Sequence, residues 1–337
     1  MNIESKFHGV LQGPMGSELR KLGIEERSED SYVAHQRVHE AYRVAGATVF
    51  VANTFGATPL RRHTAEKLSL QCQPDGKRFG PVYTQMNRTM TEIARSVAGP
   101  EALVAGSVAP IVDTSGKHDR SWRRFNRKGR LGFLNDRQAP QINALINAEV
   151  DMILGEAFRY PEEARAIAEL AQEFGARALA ISFEATMRGV PYQGIGDPKT
   201  FRDLKKELQV LAPEVEIFVG ANCTGLSVLQ AILEKDDELD LAYANSLDLN
   251  GHQRDYSAYA TMKVAGRSED QTAIETIEDR YQTPDINFGQ FATFAFNRGV
   301  KVVGGCCGTT PDTTRVIRNS WDDFLAGQES GSMATAP

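Results

Sequence analysis

Three of the four cysteines in the 337-residue chain stand at the ends of two apolar segments. Cys223 closes the run Ile217-Phe-Val-Gly-Ala-Asn, and Cys306 and Cys307 close the run Val302-Val-Gly-Gly. Three thiolates that converge on one point are ligands that Zn²⁺ accepts, and a zinc ion with three protein ligands keeps its fourth position for a substrate. The pattern therefore favours a catalytic zinc site over a structural one.

The adjacent pair sets a condition on this interpretation. Neighbouring residues on a regular strand point to opposite faces, so Cys306 and Cys307 can bind one ion only if the backbone bends between them. The three glycines around the pair make such a bend accessible. The residues alone leave two other interpretations open, a pair of small buried side chains and a vicinal disulfide, with Cys223 unrelated to either. Cys72, in a polar stretch, is predicted to have no role at the site.

Apolar, β-rich runs alternate with helix-like stretches along the chain. We predict eight strands, at 10–12, 47–53, 103–108, 150–158, 178–184, 217–223, 239–245 and 301–306. We predict eight helices, at 31–45, 81–97, 138–149, 161–174, 199–210, 225–235, 287–298 and 311–325. Nearly continuous apolar strands are typical of parallel strands with helices on them. The sequence therefore predicts an α/β fold.

Eight such units suit one (β/α)8 TIM barrel over residues 1–326, followed by a disordered tail at 327–337. A doubly wound open sheet is the alternative, because the number of strands does not establish closure. In a parallel barrel the active site lies at the carboxyl ends of the strands. The polar residues at those ends are Gln12, Asn53, Ser107, Glu156, Glu184, Asn222 with Cys223, Asn245, and Cys306 with Cys307. A buried structural role is the alternative for each of the three asparagines.

The composition limits the partners. The formal charge is -6, and 41% of the residues are hydrophobic and 24% charged, which is typical of a globular protein with an ample core. A pI near 5.6 argues against nucleic-acid binding. The amino-terminal residues lack the apolar run of a signal peptide, and no run approaches the length of a membrane span. We therefore expect a cytoplasmic protein with neither a nucleic-acid nor a membrane partner.

The segments that contain the cysteines resemble the signature of the zinc-dependent homocysteine S-methyltransferase family. They read Gly220-Ala-Asn-Cys223 and Gly304-Gly-Cys-Cys-Gly-Thr-Thr-Pro311. Four earlier segments are similar to the first four strands of that family, namely Leu11–Leu19, Ala45–Gly56, Ala105–Pro110 and Val150–Phe158. The resemblance extends from residue 7 to about residue 325.

This resemblance implies that Cys223, Cys306 and Cys307 hold Zn²⁺ and that the thiol of homocysteine enters the fourth position. Zinc deprotonates a coordinated thiol, and the thiolate then attacks the methyl group of an activated donor to give methionine. The chain has no length left for the folate and cobalamin modules of the large methionine synthases in the family, so we expect a small onium donor. S-Methylmethionine, S-adenosylmethionine and a betaine are the candidates.

Substrate contacts are expected from Glu156, Ser107 and the rim amides named above, and one of these departs from the family pattern. Gln12 stands where the family has an aspartate that is associated with the substrate's ammonium group, whereas Glu156 matches the family glutamate. Gly155 and Ala157 replace bulkier residues of many relatives. The acceptor is therefore either homocysteine or another thiol or selenol. A barrel without catalysis, which binds zinc or senses redox state through a Cys306–Cys307 disulfide, is a further alternative.

Two long connections remain. Segment 117–130 carries seven Lys or Arg residues, with Trp122 and Phe125 among them, and is interpreted either as an aromatic cover for an onium cation or as a solvated lid. Segment 247–286 contains three tyrosines and His252, and is interpreted either as part of a donor pocket or as a subunit contact of a homo-oligomer.

Overall fold

Eight parallel strands pair in chain order in a computed structural model, and the last strand returns to the first, so that the sheet closes. The structure describes residues 3, 6–22, 30–57, 79–111, 127–185, 200–235, 238–248 and 283–333. The strands are β1 (Gly9–Leu11), β2 (Val49–Ala52), β3 (Leu103–Val108), β4 (Met152–Phe158), β5 (Ala178–Glu184), β6 (Glu216–Thr224), β7 (Leu241–Ala244) and β8 (Val302–Gly305). The predicted barrel is thus confirmed, and pairing of Leu11 with Gly304 excludes the open sheet.

Helices cover the outside of this barrel. In the described residues they are α1 (Met15–Lys21), α2 (Asp30–Val44), α3 (Phe79–Ala98), α4 (Arg127–Asn147), α5 (Pro161–Phe174), α6 (Phe201–Leu211), α7 (Leu226–Glu234), α8 (Asp285–Asn297) and α9 (Pro311–Met333). None of these helices is both long and apolar enough to cross a bilayer.

The alternation of side chains along each strand separates two apolar layers. Leu154 and Ala180 point into the barrel with an interior set that includes Leu11 and Phe218, whereas Ile153 and Leu179 pack outward against the helices. At the amino-terminal end, the rings of Phe7 and Phe218 lie 4.1 Å apart and close the interior. The polar end of the barrel is therefore the carboxyl end.

Local signals explain why some boundaries agree with the prediction. Helix α5 begins with Pro161, which needs no hydrogen-bond partner at the first helical position. It ends before Gly175, whose left-handed backbone lets its N–H bond the carbonyl of Gln172. The predicted range 161–174 matches the observed helix.

Three helices depart furthest from the prediction. Helix α1 was not predicted. Helix α4 begins at Arg127 rather than at 138, so residues 127–130 of the predicted basic loop are helical. Pro140 lies within this helix, and a proline in the sequence usually marks a helix boundary. Helix α9 continues to Met333, through much of the stretch predicted as a disordered tail, because lengthening an existing helix adds a hydrogen bond without a new nucleation step. Residues 334–337 lie outside the described part.

Candidate active site

Three free thiols meet at the carboxyl end of the barrel. The Sγ atoms of Cys223 and Cys306 lie 3.2 Å apart, and all three sulfurs, with that of Cys307, lie within 4.8 Å of one another. Zn–S bonds of about 2.3 Å in a tetrahedral site place sulfurs about 3.8 Å apart. The donor set therefore fits Zn²⁺ in chemistry, and the Cys223–Cys306 separation would have to lengthen by about 0.6 Å to hold the ion.

A bulge in β6 turns Cys223 into the barrel. The pairing with β7 shifts register between Asn222 and Thr224, and Cys223 has a φ of 52°. On a regular strand Asn222 would point inward and Cys223 outward, but the bulge directs both toward the interior. A positive φ costs a non-glycine residue about 1–3 kcal/mol, so the surrounding contacts must maintain it.

The backbone bend that the adjacent cysteines require follows the end of β8. Cys306 is buried, and its N–H donates to the carbonyl of Ala244 at 2.6 Å. Cys307 is exposed, and its carbonyl accepts from the N–H of Ser246 at 2.9 Å. Gly308 then has a φ of 80°, in a region that favours glycine. Both sulfurs thus lie on one side although the residues are adjacent.

The surroundings of Cys223 and Cys306 raise the proton affinity of both thiols. Hydrogen bonding with Cys306 and Cys307, followed by burial, raises the pKa of Cys223 well above its ordinary value. The contact with Cys223 lowers the pKa of Cys306, but the contact with Cys307 and burial outweigh it, and the pKa is again raised. Three neighbouring thiolates therefore require a compensating cation.

A chain of hydrogen bonds crosses the barrel beneath the sulfurs. Ser107 donates to Glu156 at 2.5 Å, and the Glu156 carboxyl contacts the hydroxyl of Tyr243. Tyr243 and Ser182 are 2.5 Å apart, and Ser182 donates to the side-chain oxygen of Asn222 at 2.9 Å. Polar groups from β3 to β7 are thus connected to the strand that carries Cys223.

Burial raises the pKa of Glu156 to about 7, an effect that the hydrogen bond from Ser107 opposes and the charge of Cys307 reinforces. Burial, and next the charge of Glu156, also raise the pKa of Tyr243. Because the single proton of Ser182 goes to an oxygen acceptor, Tyr243 donates to Ser182.

Sequence reasoning missed Tyr243 and Ser182. A signal was present, because residues two apart on a strand share a face. Ser182 lies two positions before Glu184, and Tyr243 lies two positions before Asn245. Each therefore points into the barrel from the same face of its strand as a predicted rim residue. A prediction from the strand ends alone does not reach the layer of side chains below them.

Gln12 directly follows β1, and its side chain is buried. Its amide N–H donates to the carbonyl of Val51 at 3.3 Å, so its oxygen faces His39 and accepts from the ring Nδ1 at 2.9 Å. Burial, and next the neighbouring His35, lower the pKa of His39 to about 3. Both ends of the Gln12 amide thus have partners within the protein, and a contact with substrate stays a prediction.

The other predicted amides occupy different environments. Asn222 is fully buried, unlike the rim group that the sequence predicts. Asn53 lies at the barrel mouth with its amide nitrogen 2.7 Å from His35. Asn245 is partly exposed, and in the described part of the structure its side-chain oxygen is buried without a hydrogen-bond partner. Asn53 and Asn245 therefore stay candidates for substrate contacts.

Glu184 forms an ion pair with Arg159 at 2.5 Å, and both side chains are partly exposed at the same end of the barrel. Trp122 and Phe125 lie outside the described residues, as do Cys72 and residues 249–282 of the long segment after β7.

A closed (β/α)8 barrel with three thiols at the carboxyl ends of β6 and β8 defines a class of barrel proteins whose site could hold a metal through sulfur. The family model described as homocysteine S-methyltransferase matches residues 9–321. The chain therefore belongs to the homocysteine S-methyltransferase family, a family of methyltransferases.

Two curated relatives carry the name betaine–homocysteine S-methyltransferase 1. The protein from Danio rerio is 25% identical over 299 residues, and the one from Xenopus laevis is 27% identical over 302 residues. Each alignment covers 84% of this chain and 64% of the relative, so the chain spans less than two thirds of their length.

The fold is similar to that of the homocysteine methyltransferase MmuM from Escherichia coli. Its metallated form matches with a TM-score of 0.60 at 20% identity, covering 94% of this chain and 98% of that one. Its oxidized form matches with a TM-score of 0.62. At this level of identity the likeness supports the fold alone.

Proposed function

We propose that this protein transfers a methyl group from a small onium donor to the thiol of homocysteine, giving methionine, with Zn²⁺ held by Cys223, Cys306 and Cys307. The observation that carries this proposal is the meeting of three thiols within 4.8 Å at the carboxyl end of the barrel. A protein of similar fold, the homocysteine methyltransferase MmuM from Escherichia coli, has a metallated form. A cytoplasmic location would keep the thiols reduced.

Zinc bound to these cysteines would lower the pKa of an acceptor thiol and so supply a thiolate at neutral pH. The protein's own residues then have to align the acceptor and the donor and exclude water. Glu156 lies at the same end of the barrel as the sulfurs and interacts electrostatically with Cys307. Its carboxyl group can accept hydrogen bonds from the ammonium group of an amino acid acceptor.

The donor is proposed as a betaine, S-methylmethionine or S-adenosylmethionine. The curated relatives named for betaine make glycine betaine the first donor to test. Each candidate carries its methyl group on a positively charged nitrogen or sulfur, so the neutral leaving group departs without further activation.

A second candidate acceptor, another thiol or a selenol, is favoured by the surroundings of Gln12. Its amide bonds Val51 and His39 and carries no charge that could pair with an ammonium group. Among the residues predicted to contact the acceptor, Glu156 is then the one whose carboxyl group could pair with the ammonium group. An acceptor that lacks the amino acid moiety of homocysteine would therefore lose little binding energy at this site.

The test combines metal analysis with a methyl-transfer assay. Protein purified under reducing conditions is offered homocysteine with glycine betaine, S-methylmethionine and S-adenosylmethionine in separate reactions, and methionine is measured. The proposal expects about one zinc per chain and methionine from one of the donors. Zinc without methionine, together with methylation of a different thiol or of a selenol, would support the second candidate. A protein that retains no zinc would contradict both.

A further inference from the structure

The orientation of the Asn222 amide is determined by its neighbours. Its oxygen accepts from the backbone N–H of Ala157 and from the hydroxyl of Ser182, each at 2.9 Å. A backbone N–H can only donate, so the side-chain atom that faces Ala157 is the oxygen. The amide nitrogen consequently faces the thiols, at 3.4 Å from the Sγ of Cys223 and 4.0 Å from that of Cys306.

Two bulges converge on this side chain. Ala157 has a φ of 57° where β4 shifts register against β5, and Cys223 has a φ of 52° where β6 shifts register against β7. The first bulge presents the N–H of Ala157 to the Asn222 oxygen, and the second directs the sulfur of Cys223 toward the Asn222 nitrogen. The amide therefore links two unfavourable backbone conformations to the sulfurs.

We propose that Asn222 is a positioning residue for the metal site. Its N–H group donates to the sulfurs of Cys223 and Cys306, orients them, and withdraws negative charge from them when a metal is bound. Hydrogen bonds to charged acceptors are stronger than neutral ones, and three thiolates around Zn²⁺ leave a net charge of about -1 that such a donor stabilises. Partners of metal ligands are known to tune affinity in this way. The inference rests on the proposed zinc site.

The fold supplies two variants with graded effects. Asn222→Ala removes the donor. Ser182→Ala keeps the donor but leaves its oxygen with only the N–H of Ala157, so the amide is held less firmly. Asn87→Ala is the matched control, because Asn87 is an equally buried amide that lies on α3 and donates to the carbonyl of Ala57.

The experiment measures zinc affinity by competition with a chromophoric chelator, and the sulfur-to-metal charge-transfer band after replacement of zinc by Co²⁺. For Asn222→Ala we expect zinc affinity to fall by about 10- to 100-fold, as for other partners of metal ligands. The charge-transfer band should move to longer wavelength, because sulfurs without the N–H donor are richer in electrons. Ser182→Ala should show a smaller change in the same direction, and Asn87→Ala should match the wild type.

Wild-type affinity and an unshifted band in Asn222→Ala would overturn the inference while leaving the zinc site intact. If circular dichroism shows that Asn222→Ala does not fold, Ser182→Ala decides, and an unshifted band in that variant overturns the inference. If the wild-type protein binds neither Zn²⁺ nor Co²⁺ at these cysteines, the proposed function fails and the inference fails with it.

Discussion

Cys223 and Cys306 are separated by 83 positions in the chain, and their Sγ atoms lie 3.2 Å apart. This distance is suitable for a hydrogen bond between sulfurs but brings two thiolates too close to be stable without a cation. With Cys307 nearby, the same three atoms form either a cluster of protonated thiols or a metal site. The state of the site should therefore depend on bound metal.

Substitution of one of these thiols should release the metal. Cys306→Ala removes the most buried of the three sulfurs, so zinc content, measured by mass spectrometry of the reduced protein, is expected to fall from about one per chain to near zero. Methyl transfer should be lost with it. Cys72→Ala is the control and should keep full zinc content. Full activity of Cys306→Ala would contradict the proposed mechanism.

Glu156 should make the metal-free protein less stable as the pH rises. Its pKa is raised from 4.5 to about 7 on folding, so between these values the native state holds a proton that the unfolded state has lost. The free energy of unfolding should fall by about 1.4 kcal/mol per pH unit across this window, up to about 3 kcal/mol in total. Denaturant titrations at several pH values, compared with Glu156→Gln, measure this contribution.

The companion variant Ser107→Ala removes a hydrogen bond that lowers the pKa of Glu156. The loss of stability should then continue to higher pH than in the wild type. Equal pH dependence in the wild type and Glu156→Gln would show that this carboxyl is not perturbed.

Substitutions of Gln12 and His39 should have non-additive effects on the free energy of unfolding. Removal of either side chain leaves a buried polar atom of the other without its partner, which costs about 1–3 kcal/mol. In a double-mutant cycle with Gln12→Ala and His39→Ala, we expect a coupling energy of at least about 0.5 kcal/mol, measured by denaturant unfolding. If the effects of Gln12→Ala and His39→Ala on stability are additive, and Gln12→Ala raises the KM for the acceptor, Gln12 lies in the acceptor site instead.

Ala157 should tolerate glycine well. Its φ of 57° costs an L-residue about 1–2 kcal/mol, which glycine avoids, whereas the extra freedom of glycine in the unfolded chain costs about 0.5–1 kcal/mol. We therefore expect Ala157→Gly to change the free energy of unfolding by less than about 1 kcal/mol, in the stabilising direction. The control Ala168→Gly, in the middle of α5, should lose about 1 kcal/mol or more. Equal losses at both sites would argue against the strained bulge.

Much of the scaffold could be predicted because its signals are local. All eight predicted strands are present, and β3 and β5 have the predicted bounds, since apolar runs of strand length report on burial directly. The position of the candidate site followed from the same pattern, because a parallel barrel brings every strand end to one rim. Helix α4 was predicted too short because a proline within a helix reads as a boundary.

The sequence by itself determined the βα alternation, the barrel expected from it and the three cysteines at the ends of β6 and β8. Tertiary structure decided which way the side chains at those ends point. The bulges at Ala157 and Cys223 bring Asn222 to the sulfurs, and the buried contact with His39 engages the Gln12 amide. These features depend on contacts between residues distant in the chain, which maintain backbone conformations that neither alanine nor cysteine favours locally.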